Sequence, residues 1–320
     1  MQSGMEESDT MLKLPAIFSD HMILQRRKPV VIWGESDAKK VTVTIQDARV
    51  VTYVQDGKWQ LFLPPMEAGG PYVLTVKTDE EEEKVYEDVM YGEIWLAGGQ
   101  SNMELELQNS KNGAVAVTEA HNELLRFYYT PKVSYLCDEL YEQEEKSCWE
   151  LCCPENVGRW SAVGYYFARK LAAQLDVPVG IIGCNWGGTS ASCWMSREAL
   201  ENDKVISSYV EEYDAIVAAQ DFDAYCKERE EYIVYQAEFD KNCKHYYETT
   251  PNPTWEGALE VCGENKYPGP MGPRSEYRPA GLYETMIQRI APYTLAGFLY
   301  YQGEEDDKKP RSYYNLLTRL

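Results

Sequence analysis

From Glu93 onward the chain alternates short apolar runs with helical patterns, and no other feature constrains its fold as strongly. Glu93-Ile94-Trp95-Leu96-Ala97 reads as a strand running into Gly98-Gly99-Gln100-Ser101-Asn102, and Leu124 to Tyr129 reads as a second strand. Ser161 is placed to cap a helix on which Val163, Phe167, Leu171 and Leu175 share one face. Pro178 to Cys184 is a third strand, ending in turns at Gly187 and Gly188. A helix from about Ala280 to Ile290 precedes a fourth strand, Leu295 to Tyr301, which ends at Gln302-Gly303-Glu304. Strands that alternate with helices pair in parallel through right-handed crossovers, so the expected class is α/β. In such sheets ligands bind beyond the carboxyl ends of the strands, and three of these four ends carry small or polar residues.

The preceding part reads differently. Val30-Val31-Ile32-Trp33, Val41 to Ile45, Val50 to Val54, Trp59 to Leu63 and Tyr72 to Val76 are short strands separated by turn signals such as Asp56-Gly57. Together they predict a small antiparallel β-sandwich. The acidic run Asp79 to Glu83 is expected to be a solvated hairpin turn, because successive strand residues point to opposite faces. The expected organisation is therefore a flexible terminus over 1–13, a β-sandwich over 14–90 and an α/β domain over 91–320. The last of these carries a helical insertion at about 197–275. Within that insertion Tyr209, Tyr213, Tyr225, Tyr232 and Tyr235 are expected to pack helices. Tyr313, Leu316, Leu317 and Leu320 form the apolar face of a final helix that stops without a cap, so the α/β domain is expected to be incomplete.

Composition narrows the function classes. Lys and Arg total 31 against 52 Asp and Glu, a net charge of 31 − 52 = −21. That balance excludes an electrostatic grip on nucleic acid or on an anionic membrane. The longest apolar runs fall well short of the ~18 residues a spanning helix needs. Nine cysteines without a single C-x-x-C pair argue against a zinc ribbon and against a secreted disulfide framework. The Cys148, Cys152 and Cys153 cluster leaves room for one bridge. With no signal-like segment before Met11, the chain is expected to be cytoplasmic, or else secreted with its signal absent from this sequence.

Ser101 follows a strand across two glycines that permit a sharp turn, which exposes its hydroxyl and aims nearby N–H groups at one spot. An acyl-transfer nucleophile needs that arrangement, and a serine capping the next helix would look the same. Gly187-Gly188 admits close backbone approach to a ligand, as an oxyanion-hole donor would, and a plain tight turn needs the same residues. The Gln302 amide can donate to a developing oxyanion and the Glu304 carboxylate can orient neighbours, though surface loops also carry such side chains. Neither G-x-G-x-x-G nor a P-loop is present.

Four segments occur in order: Leu14-Pro-Ala-Ile-Phe-Ser-Asp-His-Met-Ile-Leu-Gln25, Gly99-Gln-Ser-Asn-Met103, Asn185-Trp-Gly-Gly-Thr189 and Tyr301-Gln-Gly-Glu304. With Leu63 to Tyr72 and Arg278 to Ile287, the set resembles the sialate O-acetylesterase family of SGNH-type (GDSL-like) hydrolases over about Leu14 to Leu320. The resemblance implies a three-layer α/β/α fold with a parallel sheet, and a carbohydrate O-acetylesterase that needs no metal or organic cofactor. Its substrate would be a sugar or glycan bearing O-acetyl groups, and the oligomeric state stays open. It implies Ser101 as nucleophile, with Ser101 N–H, Gly187 or Gly188 and Gln302 at the oxyanion hole and Glu304 in support. Glu305-Asp306 stands where the family usually has Ser-Asn or Ser-Asp, which puts loop contacts in doubt.

A serine nucleophile needs a histidine oriented by a carboxylate, which the family takes from an Asp-x-x-His near its C-terminus. His21, His121 and His245 are the only histidines and none lies in such a motif. His21 is expected in packing or turn chemistry, His121 in solvent and His245 at a helix end. The family would place the motif well beyond Leu320, after a fifth strand, so the chain by itself is expected to be nearly inactive. Two other readings remain: a non-catalytic carbohydrate-binding protein on an esterase scaffold, and an SGNH enzyme for lipid or thioester acyl groups.

Overall fold

The computed structural model describes residues 11–320. Twelve strands run in chain order: β1 (Leu12–Lys13), β2 (Ile23–Gln25), β3 (Val30–Ser36), β4 (Lys40–Ile45), β5 (Ala48–Tyr53), β6 (Lys58–Leu63), β7 (Gly69–Thr78), β8 (Glu83–Gly99), β9 (Asn122–Tyr129), β10 (Glu150–Cys152), β11 (Val179–Asn185) and β12 (Gly297–Tyr301). β1, β3 and β6 form a three-stranded sheet. The other nine share one sheet, in the order β10-β9-β11-β8-β7-β4-β5, with β12 and β2 also on β8.

β8 joins the two halves of that sheet. Its first part pairs antiparallel with β7 and its last part pairs parallel with both β11 and β12. The boundary expected at residue 90 therefore falls inside a continuous 17-residue strand. The reason lies in Glu83 to Tyr91, where the charged pairs Glu83-Lys84 and Glu87-Asp88 hide a strand from any search for apolar runs. Of the expected 1–13 terminus, residues 1–10 lie outside the described residues and Leu12–Lys13 form β1.

β9, β11, β8 and β12 are the four parallel strands read from the sequence. Every residue of β11 is buried, as for the centre of a parallel sheet covered on both faces. The helix Ala162–Leu175 covers one face, and Ser161 Oγ caps it by accepting from Gly164 N–H at 3.1 Å. Its innermost line is Tyr165, Ala168 and Ala172 rather than the bulkier Val163, Phe167 and Leu171, which pack at the margin. Leu175, expected on the apolar face, is 44% exposed. Gly164, Ala168 and Ala172 let the helix approach Phe127 and Ile181: a Cβ on Gly164 would already stand 3.2 Å from both side chains.

The chain forms two compact units, one running to Thr189 and resuming over Glu284–Glu305, the other Ser190–Tyr283 with Asp306–Leu320. The first contains all twelve strands. The helix expected before β12 starts at Gly281 and contains a π-helical turn, Tyr283–Ile287, continuing as Gln288–Ile290. The second unit is helical and wider than the expected insertion, because it includes Asp306–Leu320. Its helix Phe222–Thr249 buries Tyr225, Phe239 and Cys243, and the last helix, Pro310–Arg319, seats Leu316 among Ala191, Met195, Leu200, Ile206 and Val210. Asp306 departs from the family pattern with a defined role: it is buried and accepts from Ser190 Oγ at 2.6 Å, Ala191 N–H at 2.9 Å and Tyr209 OH at 3.3 Å. Among the described residues, no helix is long and apolar enough to cross a membrane.

Candidate active site

Parallel register brings three strand ends into one row. Asn185 pairs with Gly99, and Gly99 pairs with Tyr301. Neighbouring strands lie about 4.8 Å apart, so the segments after these residues must leave the sheet side by side. Gly99 makes the crossing possible, since its φ is +138° and a Cβ there would sit 2.1 Å from Tyr301 O.

Ser101 is the first residue of a short helix, Ser101–Glu104, whose N-cap is Gln100. The capping role that position alone left open for Ser101 is therefore not the one it plays. Its side chain is exposed and has no hydrogen-bond partner among the described residues. Gln100, 3% exposed, ties the neighbouring loop down: its N–H donates to Tyr301 O at 3.0 Å. Its Oε1 accepts from Gly303 N–H at 3.2 Å and Glu305 N–H at 3.3 Å. Asn102 Nδ2 donates to Glu304 Oε1 at 2.6 Å, so Glu304 lies beside the serine helix, as expected of a supporting carboxylate. Gln302 Nε2, expected to face an oxyanion, donates to Thr189 O at 3.2 Å and links the ends of β12 and the glycine turn.

The glycine turn holds a further arrangement. Gly187 N–H donates to Glu104 Oε2 at 2.5 Å, and Lys132 Nζ pairs with the other oxygen of that carboxylate. A Cβ on Gly187 would lie 3.0 Å from Glu104 Oε2 and 3.6 Å from Ser101 Cβ. Of the two glycines, Gly187 is thus the one set against Ser101, with its N–H engaged by a carboxylate, while Gly188 follows with φ +72°. Asn185 is fully buried; its Nδ2 donates to Ala97 O at 3.2 Å and its Oδ1 has no partner among the described residues. Burial pushes the adjacent Cys184 thiol up to about 12 and raises the Tyr129 phenol as well.

All five residues singled out in the sequence gather at these strand ends. Gln100, Asn102, Glu104, Lys132 and Asn185 were not singled out. Glu104 carries a readable signal, being three residues after Ser101 on the same helical turn. Lys132 carries none, because only the pairing of β9 with β11 brings its loop to the site.

The histidines do not complete it. His21 Nδ1 meets Asp88 Oδ2 at 2.7 Å, where Asp88 also takes Arg126 Nη2 at 2.9 Å. Burial pushes the Asp88 carboxyl up, but His21 and Arg126 outweigh it and hold it below the usual range. Met90, paired with Ile23, is nine residues before Gly99 on β8, about 30 Å at 3.3 Å per residue. His121 precedes β9 and is likewise at the amino ends of the strands. His245 is exposed on Phe222–Thr249 of the second unit. Within the first unit, then, no histidine accompanies Ser101.

Comparison with known proteins places these features in context. The family model described as carbohydrate esterase, sialic acid-specific acetylesterase, matches residues 91–250. Sialate O-acetylesterase of Pongo abelii is 29% identical over 229 residues, covering 64% of this chain and 42% of that protein. Sialate O-acetylesterase of Homo sapiens is 29% identical over 214 residues, covering 59% and 40%. The chain spans about two-fifths of the length of these curated relatives. The crystal structure of a carbohydrate acetylesterase from Xanthomonas citri is similar over 96% of this chain and 55% of that one, with a TM-score of 0.66 and 26% identity.

Proposed function

This chain belongs to the sialic acid-specific acetylesterase family of carbohydrate esterases, and from that premise we propose that it carries the nucleophile half of a sugar O-acetylesterase site, with Ser101 as the attacking residue. One observation carries the reading: an exposed Ser101, not spent on capping, stands against Gly187 where three strand ends converge.

In the proposed reaction Ser101 Oγ attacks the acetyl carbonyl carbon and gives up its proton to a base. The carbonyl oxygen becomes an oxyanion facing Ser101 N–H, which as the first amide of a helix has no intrahelical partner. Gly187, Gly188 and Gln302 line the same place. The C–O bond to the sugar breaks, the sugar hydroxyl leaves protonated, and water then hydrolyses the acetyl-enzyme to acetate. The Gly187 amide joins the oxyanion hole when the carbonyl oxygen displaces Glu104 Oε2 from it. Glu304 orients Asn102 beside the serine.

The base is the missing part. A serine site deprived of one triad member keeps only about 10³–10⁴-fold catalysis over water, so the chain is expected to hydrolyse p-nitrophenyl acetate weakly. Added imidazole supplies a diffusible base, and the rate of the chain above that of Ser101→Ala should then rise with imidazole concentration. Equal rates for the two proteins at every imidazole concentration would refute Ser101 as nucleophile. Strong hydrolysis without imidazole would show that the chain carries its own base. Absence of turnover together with sugar binding that ignores Ser101→Ala would favour the non-catalytic carbohydrate-binding reading.

A further inference from the structure

A cavity of the first unit lies away from Ser101. It is a groove of about 1380 Å³ whose walls come from β3, β5, β6, the start of β8, residues 13–19, the helix Asp138–Glu145 and Gln288–Arg289. That exceeds the roughly 300–1,000 Å³ of a typical small-molecule site. A groove of this size in a wall of strands admits an extended ligand.

Its lining has two components. Tyr53, 69% exposed, presents an aromatic face, and flat rings of this kind stack on the apolar face of a ring-shaped ligand; Tyr141, 43% exposed beside it, carries the Arg289 guanidinium over its ring at 5.4 Å. Lys13, Lys58 and Lys84 are exposed around them, and none has an ion-pair partner among the described residues. Of the acidic residues in the wall, Glu144 is held by Arg289, which leaves Glu35 and Glu145 facing three lysines. In a chain of net charge −21 this is a local excess of positive charge. Screening beyond about 10 Å makes the local charges the ones a bound ligand meets. Trp59, 3% exposed in the same wall, also keeps a buried indole N–H with no acceptor.

We infer that this groove is a second binding site, separate from the Ser101 site, for a carboxylate-bearing oligosaccharide. Tyrosine rings stack on sugar rings, and Lys58 and Lys84 receive the carboxylate. The choice of a sugar over another ring-bearing carboxylate rests on the family reading above; the positive charge and the exposed rings do not.

Titration with 3′-sialyllactose, followed by tryptophan fluorescence from Trp33 and Trp59 in the groove, tests it. Saturable binding is expected, about tenfold tighter than for lactose, weakened by added salt and weakened about tenfold or more in Lys58→Glu/Lys84→Glu and in Tyr53→Ala. All three positions are exposed, and an unchanged thermal midpoint verifies that the variants fold. Ser101→Ala should bind as the parent does. Failure to saturate, equal affinity for lactose, or indifference to the lysine variants would overturn the inference. Imidazole-dependent ester hydrolysis, measured in the same lysine variants, keeps its failure distinct from failure of the esterase reading: hydrolysis is expected to stay intact where sugar binding is lost.

Discussion

Asp88→Asn is the most informative single change, because it removes a charge while leaving shape and backbone in place. Asp88 adopts φ +53°, a left-handed conformation that Asn tolerates as well as Asp. Its carboxylate faces Arg126, whose side chain is only 2% exposed, and His21. Arg126 keeps two neutral acceptors, Nη1 donating to His21 O at 2.8 Å and Asp88 O at 2.5 Å. Breaking a buried ion pair by removing one partner costs about 3–5 kcal/mol, since the remaining charge is left uncompensated. The two carbonyls, together with the 30% exposure of the Asp88 side chain, set this case at the lower end, about 3 kcal/mol. For a unit of this size that is a fall in midpoint of roughly 6–12 °C. Urea unfolding at neutral pH measures it, and a loss below about 1 kcal/mol would refute the argument.

The pH dependence supplies an independent sign. The folded carboxyl is held below its unfolded value, so its contribution is present above the unfolded carboxylate range and is lost as pH falls through the folded pKa. The gap in stability between the parent and Asp88→Asn should therefore close as pH drops below about 4. A gap that widened there would place the stabilisation in some other group.

Two further changes test the machinery around Ser101. Gly99→Ala combines a φ of +138° with a Cβ 2.1 Å from Tyr301 O, and should cost at least about 3 kcal/mol of stability by thermal unfolding; a loss under about 1 kcal/mol would mean the strand ends can separate freely. Gln100→Ala strips the acceptor from Gly303 and Glu305 N–H, so hydrogen exchange at those two amides should accelerate while exchange along β11 does not; unchanged protection would show that other groups hold the loop.

The parallel strands and their order along the chain were legible because buried strands are continuous apolar runs, and their glycine ends marked where chemistry could sit. What escaped was whatever depends on pairing. The first half of β8 is broken by the charged pairs Glu83-Lys84 and Glu87-Asp88, so the boundary expected at residue 90 falls in a strand that carries both halves of its sheet. Leu175 was placed inward because helical spacing counts bulky residues, whereas contact with Phe127 and Ile181 is made through Gly164 and the alanines. Gln302 is read as an oxyanion donor by residue type, and only the register reveals that its amide also bonds Thr189 O. The Glu104–Lys132 pair is 28 residues apart in sequence and exists only once β9 and β11 are aligned.

β8 also fixes what the groove and the Ser101 site can do together. Lys84, Val85 and Tyr86 line the groove, and Ser101 follows the other end of the same strand. The sixteen residues from Val85 to Ser101 span at most about 50 Å of extended chain at 3.3 Å per residue. An ester as small as p-nitrophenyl acetate is too short to contact both places at once, so lysine changes in the groove leave its hydrolysis alone. A long glycan, or a surface carrying many, can occupy both. The groove then raises the local concentration of acetyl groups near the serine without any new contact to the reacting atoms. Its effect belongs in the concentration dependence of polymeric substrates and not in the chemical step, which separates an anchoring role from a catalytic one.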